Sequence, residues 1–290
     1  MPPEHHAAAT TATRHAERLS RALAHLTEHL DARPGLEALA SVAAFSPFHF
    51  HRIWHAALGE TIAETTRRML LHRAAVELVG GELPVARIAA RAGYAGQPAF
   101  GRAFRAAYGV SPAAYRRAGG IGLPPVTGTT PQEEIMHDIT LSHFPGARLA
   151  AIRHVGPYAG MGAAFDRLAV WAGARGLIGP DTRFFGIYHD DPTEVAEAKL
   201  RSDACLTIPD SVAGGGEVAV TALPATRVAC FTFKGPYAEL EPAYHWLYGT
   251  WLPASGEEPA DLPCFEEYLN DPKTLPPAEW LIAVYLPLRG

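Results

Sequence analysis

Two stretches of the chain carry side chains able to read the edge of a nucleic-acid base. In Ser46-Pro47-Phe48-His49-Phe50-His51-Arg52-Ile53-Trp54 the aromatics Phe50 and Trp54 stand four apart, and in Gln97-Pro98-Ala99-Phe100-Gly101-Arg102-Ala103-Phe104-Arg105 the same spacing joins Phe100 and Phe104. Residues four apart share one face of a helix. Burying each aromatic pair therefore turns Phe48, His51, Arg52 and His55 outward in the first stretch, and Gln97, Gly101, Arg102 and Arg105 outward in the second. Arginine reads guanine with two hydrogen bonds and glutamine can read adenine, each worth ~1–3 kcal/mol of discrimination. For a single arginine a solvated helix face explains as much. Two stretches with the same inside-out pattern favour base reading. His51 and His55 also have the spacing of a zinc pair, but no third ligand lies near them in sequence, so no metal is expected.

The elements that must position these residues are helical. Before each stretch runs a short Ala-rich segment, Leu36 onward and Val85 onward, ending in a tight turn. A helix, a turn and a second helix opening on a polar residue and a proline form the helix-turn-helix unit, whose second helix enters the major groove. Ser46 is placed to cap the first reading helix, with Pro47 at its first position. Leu19, Leu23, Leu26 and Leu30 predict a preceding helix over about 13–30, stopped by Asp31 to Gly35. A connecting helix is expected over 62–79, capped by Gly80-Gly81, and a last short helix carries Tyr115, Arg116 and Arg117. Residues 1–12 read as disordered, 13–118 as an all-α tandem helix-turn-helix domain, and 119–134, rich in Gly, Pro and Thr, as a linker.

Charge divides the chain at the same place. Residues 1–118 hold 14 arginines and no lysine against 9 acids, a net of +5, whereas 119–290 hold 11 bases against 21 acids, a net of −10. A basic half suits a polyanion, and an acidic half suits a neutral or cationic ligand. With 48% apolar and 19% charged residues the composition is that of a globular protein with two sizeable cores. No apolar run approaches the ~18 residues of a membrane span, and the first residues lack a signal-peptide layout. Cys205, Cys230 and Cys264 form no C-x-x-C pair and read as reduced thiols of a cytoplasmic protein.

The acidic half contains an internal repeat. Ile139 to Ala159 aligns without gaps on Val218 to Ala238, and both copies end in Gly-Pro-Tyr-Ala. Each copy reads as extended chain, a Gly-Pro-Tyr turn, an amphipathic helix (159–175; 238–250) and two further strands (near 183–190 and 203–208; near 263–269 and 280–286). An α+β domain over 135–290, built of two pseudo-twofold-related strand/helix repeats with a groove between them, is the expected architecture.

Residues 13–118 resemble the DNA-binding domain of AraC/XylS-type regulators, on the stretch from Gly93-Tyr-Ala-Gly-Gln97 through Gly109-Val-Ser-Pro112 to Tyr115-Arg116. The resemblance implies that one chain sets both second helices into successive grooves about one turn, roughly 34 Å, apart. It places the groove contacts at Phe48, His51, Arg52, Gln97, Gly101 and Arg102, with Arg105 on a phosphate. Pro98 and Gly101 stand where relatives often have polar residues, which bears on base preference. Residues 135–290 resemble the GyrI-like effector-binding domain. The carrying motifs are the doubled Gly-Pro-Tyr, Gly186-Ile-Tyr188-His-Asp-Asp-Pro192, Leu200-Arg-Ser-Asp203-Ala-Cys205, Phe265-Glu266-Glu267-Tyr268-Leu-Asn-Asp-Pro272 and Tyr285-Leu-Pro287. The order of the two domains is similar to Rob-type regulators.

This second resemblance implies a groove for small, often lipophilic and cationic molecules around a carboxylate, which falls on Glu266. Strand alternation sets Glu266 and Tyr268 on one face. Tyr158, Tyr188, Tyr237 and Trp246 are the aromatic candidates for the walls, and Ser202 replaces a common aromatic in one of them. The expected protein is a transcription regulator that binds promoter DNA and a small effector, not an enzyme, with no cofactor and no membrane partner. Two alternatives stand beside it. Glu266 could activate water with Tyr158 or Tyr237 as acid, making the domain a hydrolase, or the domain could be a protein-interaction module that meets gyrase or RNA polymerase. Tandem DNA units make dimerisation unnecessary for reading two grooves.

Overall fold

A computed structural model describes residues 4–119, 137–192 and 194–290. The basic half is a helical bundle: α1 (Glu4–Glu28), α2 (Leu36–Ala43), α3 (Pro47–Leu58), α4 (Ile62–Gly80), α5 (Val85–Arg91), α6 (Gln97–Tyr108) and α7 (Pro112–Arg117). Local chemistry sets these boundaries. Ser46 accepts a hydrogen bond from the Phe48 amide at the start of α3, and Thr61 with Glu64 forms a reciprocal capping box at the start of α4. Gly59 and Gly109 end α3 and α6 at φ of 67° and 76°, a region that favours glycine. The first helix starts at Glu4, not near residue 13 as the leucine spacing alone suggests. The Ala-rich start of the chain carries little helix penalty, and the Thr11 and His15 side chains are buried. Of the expected linker, only Gly119 falls among the described residues.

The acidic half folds as one eight-stranded antiparallel sheet with helices on one face. Its elements are β1 (Thr140–Phe144), β2 (Ala147–Val155), α8 (Gly162–Gly173), β3 (Phe184–Tyr188), β4 (Arg201–Thr207), β5 (Ala219–Leu223), β6 (Thr226–Lys234), α9 (Glu241–Trp246), α10 (Leu252–Ser255), β7 (Phe265–Tyr268) and β8 (Leu281–Leu288). The helix expected over 238–250 is broken: α9 passes into a π turn at Leu247–Trp251 before α10. Strand order is β1-β6-β8-β7-β3-β4-β2-β5. Each repeat lends its first strand to the other, because β1 pairs with β6 and β5 with β2. The exchange brings the two Pro-turns together, and a Cβ on Gly146, at φ 86°, would stand 3.0 Å from the Ala225 nitrogen. The pseudo-twofold axis therefore runs between the central strands β3 and β7.

The hydrophobic cores do not follow the charge boundary. One cluster joins Leu26, Phe50 and Trp54 of the bundle to Phe231, Trp246, Tyr248 and Val284 of the sheet domain. The second helix-turn-helix keeps a core of its own around Phe100, Phe104 and Tyr115. On the far face of the sheet, Phe144 from the exchanged β1 meets Phe265 edge-on with ring centres 4.9 Å apart, beside Phe185 and Tyr285. If this exchange holds the halves together, Phe144→Ala should lower unfolding free energy by ~3–5 kcal/mol in a urea titration. A loss below about 1 kcal/mol would contradict the placement of β1.

Candidate effector cleft and DNA-reading faces

The centre of the sheet is where a duplicated unit becomes asymmetric. Gly186 pairs in register with Glu266, and the matching Asp-Pro steps at 191–192 and 271–272 identify these two as equivalent positions of the two repeats. One half thus offers a carboxylate where the other offers no side chain. Tyr188 and Tyr268, also equivalent, fill the space above the glycine and join hydroxyls at 2.8 Å. A Cβ on Gly186 would lie 2.8 Å from the Tyr268 hydroxyl and 3.0 Å from the Tyr188 ring. On either flank stand α8 and α9. Phe165 of α8 meets Tyr268 edge-on at 5.2 Å, and Tyr244 of α9 donates its hydroxyl to Glu266 Oε1 at 2.9 Å.

Glu266 is only 4% exposed. Its pKa is pushed up to about 7, chiefly by burial, while hydrogen bonds from Tyr244 and Tyr188 and the charge of Arg52 pull the other way. Around it, burial and the Glu266 charge together raise the pKa values of Tyr188, Tyr244 and Tyr268. These hydroxyls are therefore neutral donors near neutral pH, the form that holds a carboxylate.

Of the expected wall residues, Tyr188 and Tyr268 lie over this floor. Tyr237, 38% exposed, stands at its rim, its ring centre 4.4 Å from the tilted Trp280 ring and 5.7 Å from Tyr268. Tyr158 meets Tyr188 edge-on at 4.9 Å and gives its hydroxyl to the Asp190 carbonyl at 2.6 Å. Trp246 departs from expectation: it is buried in the core beneath α9, edge-on to His137. Its place at the cleft is taken by Tyr244 and Tyr248, two residues that sequence reasoning missed. Their spacing of four was the available signal, since it marks one helix face, and Tyr244 aligns with Phe165 across the gapless repeat.

The expected open groove between the repeats is filled, and what fills it comes from the other half of the chain. The face of α3 read as outward-turned is largely covered, with His51 buried and Phe48, Arg52 and His55 half-buried; it lies across the cleft. Arg52 sets its guanidinium carbon 4.7 Å over the Tyr244 ring and 5.5 Å over the Tyr248 ring, and Nη1 donates to the Tyr248 oxygen at 3.4 Å. His51 is buried with Nε2 2.8 Å from the Asp191 carboxylate, and His55 packs on His245 at 4.8 Å between ring centres. Phe48 is half-buried. His49 is fully buried, and burial above all, helped by the Arg52 charge, pushes its pKa down to about 3, so the ring is neutral. Nε2 lies 3.0 Å from the Ala260 carbonyl, which can only accept; Nε2 therefore carries the proton, and Nδ1 accepts from the Tyr248 hydroxyl at 2.7 Å. Ser46 adds a bond to Asp261 at 2.6 Å, and Glu194 takes the Ile62 amide at 2.6 Å. The physical reason for the departure is that an amphipathic pattern tells which face is apolar, not what covers the polar one.

The second reading helix is placed as its sequence suggests. Gln97, Arg102 and Arg105 are exposed on α6 and Gly101 is half-buried among them, with Gln97 in the first turn, the end that helix-turn-helix proteins aim at bases. Among the described residues no group of three or more His, Cys, Asp or Glu is arranged to hold a metal, and no helix is long and apolar enough to cross a membrane.

These two parts, a paired helix-turn-helix and a duplicated sheet with a carboxylate buried among tyrosines, define a regulator with a ligand-binding domain, and comparison with known proteins agrees. The family of GyrI-like small molecule binding domains matches residues 137–289, more than half the chain, and a helix-turn-helix domain of AraC type matches residues 39–118. The chain belongs to the GyrI-like family and joins that domain to a DNA-binding one, the make-up of a transcription regulator. It is 35% identical over 157 residues to a DNA gyrase inhibitor of Edwardsiella piscicida, covering 49% of this chain and 91% of that protein. It is also 34% identical over 91 residues to an uncharacterized HTH-type transcriptional regulator of Bacillus subtilis (strain 168), 31% of each chain. Among solved structures it is similar to the EcmrR C-terminal domain, with a TM-score of 0.44 and 20% identity over 53% of this chain and 99% of that one.

Gly186 is the position on which the tyrosine pair rests. Gly186→Ala should displace the Tyr188 and Tyr268 rings, lower stability by about 1–3 kcal/mol and raise their solvent exposure. Tyrosine fluorescence and a melting curve would read both. An unchanged melting temperature would show that the rings do not close over this glycine.

Proposed function

We propose that the chain is a cytoplasmic transcription regulator that reads promoter DNA with α6 and α3 and responds to a small lipophilic cation bound against Glu266. The observation that carries the ligand class is the buried carboxylate, ringed by Tyr188, Tyr244 and Tyr268 with Tyr237 at the rim. A cation held there gains the charge of the carboxylate and the faces of the rings, the latter worth ~0.5–2 kcal/mol. The exposed Arg102, Arg105 and Gln97 on α6 support the DNA reading. RNA polymerase is the partner such a regulator would meet at a promoter.

Protonation gives the cation reading a sign. With the Glu266 pKa near 7, the carboxylate is mostly ionised at pH 8 and mostly protonated at pH 5.5. Affinity for tetraphenylphosphonium, measured by calorimetry, should therefore rise by roughly tenfold or more from pH 5.5 to pH 8, and Glu266→Gln should bind weakly with a flat profile. A profile that survives Glu266→Gln would assign the dependence to the histidines His51, His55 and His245 instead. For DNA, Arg102→Ala should cost ~1–3 kcal/mol on the preferred sequence, whereas Arg105→Ala should weaken all sequences and flatten the log–log salt slope by about one. Fluorescence anisotropy on matched and scrambled duplexes separates the two, and unchanged affinity in both variants would remove α6 from the groove.

One observation favours a second reading. A carboxylate poised near pH 7 beside tyrosine hydroxyls also suits a general base. Turnover of a strained electrophile that Glu266→Gln abolishes would establish hydrolysis; binding without turnover leaves the regulator.

A further inference from the structure

Arg52 meets, within the folded chain, the α9 wall of the cation site. Its guanidinium lies over the Tyr244 and Tyr248 rings, Tyr244 gives its hydroxyl to Glu266, and the Arg52 charge is felt at Glu266 and at Tyr158 across the cleft. The helix that carries it is tied down on both sides, to Asp261, Tyr248 and Ala260 on one and to Asp191 on the other. The fit is close: a Cβ on Gly249, in the π turn, would stand 3.2 Å from the Ala56 Cβ of α3. The same Arg52 and its neighbours form the polar face with which α3 would read DNA.

We propose that Arg52 is an internal ligand of the cleft, so that the effector is a planar delocalised cation of the guanidinium or amidinium class that takes its place, and that entry of this cation frees α3 for DNA. The proposal rests on the cleft being the effector site. Its ligand class follows from the occupant: a flat cation lies over ring faces and donates from its edge, as Arg52 does at Tyr244 and Tyr248. Its consequence follows from exclusion. With the clasp closed only α6 is available to a groove. Effector and α3-bound DNA both select the open arrangement, so each must raise the affinity of the other.

The test uses the full chain and benzamidinium, with neutral benzamide of similar shape as control. Calorimetry should show benzamidinium binding that Glu266→Gln abolishes and that benzamide lacks. Arg52→Ala should tighten it by roughly tenfold or more, because the apparent affinity of wild type is reduced by its small open fraction. Saturating benzamidinium should raise hydrogen exchange of the α3 amides in wild type several-fold. Gly249→Phe, which wedges α3 away without altering a cleft side chain, should tighten binding likewise and decides the matter if Arg52→Ala fails to fold. Glu266-dependent binding with no tightening in either variant and no change in α3 exchange would overturn the internal ligand and leave the effector site standing. Binding of tetraphenylphosphonium but not of benzamidinium would overturn the planar class. No Glu266-dependent binding of either cation, in wild type or variant, would overturn the effector site itself.

Discussion

One carboxylate buried at the axis of a duplicated sheet sets the terms for everything around it. Removing a carboxylate from water costs several kcal/mol unless hydrogen bonds and an opposite charge offset the loss. At Glu266 the offset comes from three directions: Tyr244 on α9, Tyr188 on β3 and Arg52 on α3. Its symmetry mate is Gly186, so this pair supplies one carboxylate and not two, and the freed volume admits the hydroxyl pair of Tyr188 and Tyr268. Duplication alone would have given two facing carboxylates or none. The asymmetry at this one pair leaves the centre of the sheet with a carboxylate in one half and only a glycine opposite it.

The same need for an opposite charge explains how the halves of the chain meet. The basic bundle carries +5 and the sheet domain −10, and their joint face pairs Arg18 with Glu258 and His51 with Asp191. Apolar packing follows, since the first helix-turn-helix shares a core with the sheet domain while the second does not. Both pairs are largely shielded from water, so the cost of desolvation offsets much of their attraction. The shared core supplies most of the adhesion, and the polar contacts set its register.

What the sequence revealed and what it concealed separate along physical lines. Local periodicity is written in neighbouring residues, so the aromatic pairs Phe50/Trp54 and Phe100/Phe104, the Ser46 cap and the capped connecting helix were legible. The gapless repeat announced two equivalent halves, and family likeness placed Glu266. Strand exchange was not legible, because pairing of β1 with β6 joins residues far apart in the chain and leaves no local trace. Trp246 was expected in the wall of the cleft, yet an α-helix followed by a π turn directs Tyr244 and Tyr248 to the cleft and Trp246 to the core. Above all, the outward face of α3 was inferred from an isolated helix pattern. The pattern was right about which side is polar and silent about the acidic partner waiting for it.

The two helix-turn-helix units are thus alike in sequence and unlike in situation. Both bury an aromatic pair and both present an arginine, but Arg102 faces solvent while Arg52 lies over tyrosine rings. The clasped face of α3 consists of His49, His51, Arg52 and His55, whose partners are a hydroxyl, a carboxylate, ring faces and another histidine. Contacts of this kind exchange with water at small net cost, unlike a buried leucine stripe, which loses about 25 cal/mol for every Å² it exposes. The apolar side of the same helix, through Phe50, Ile53 and Trp54, packs in the core that the bundle shares with the sheet domain. Of the contacts that hold α3, the polar ones are therefore those that charge, pH and small cations can most readily replace.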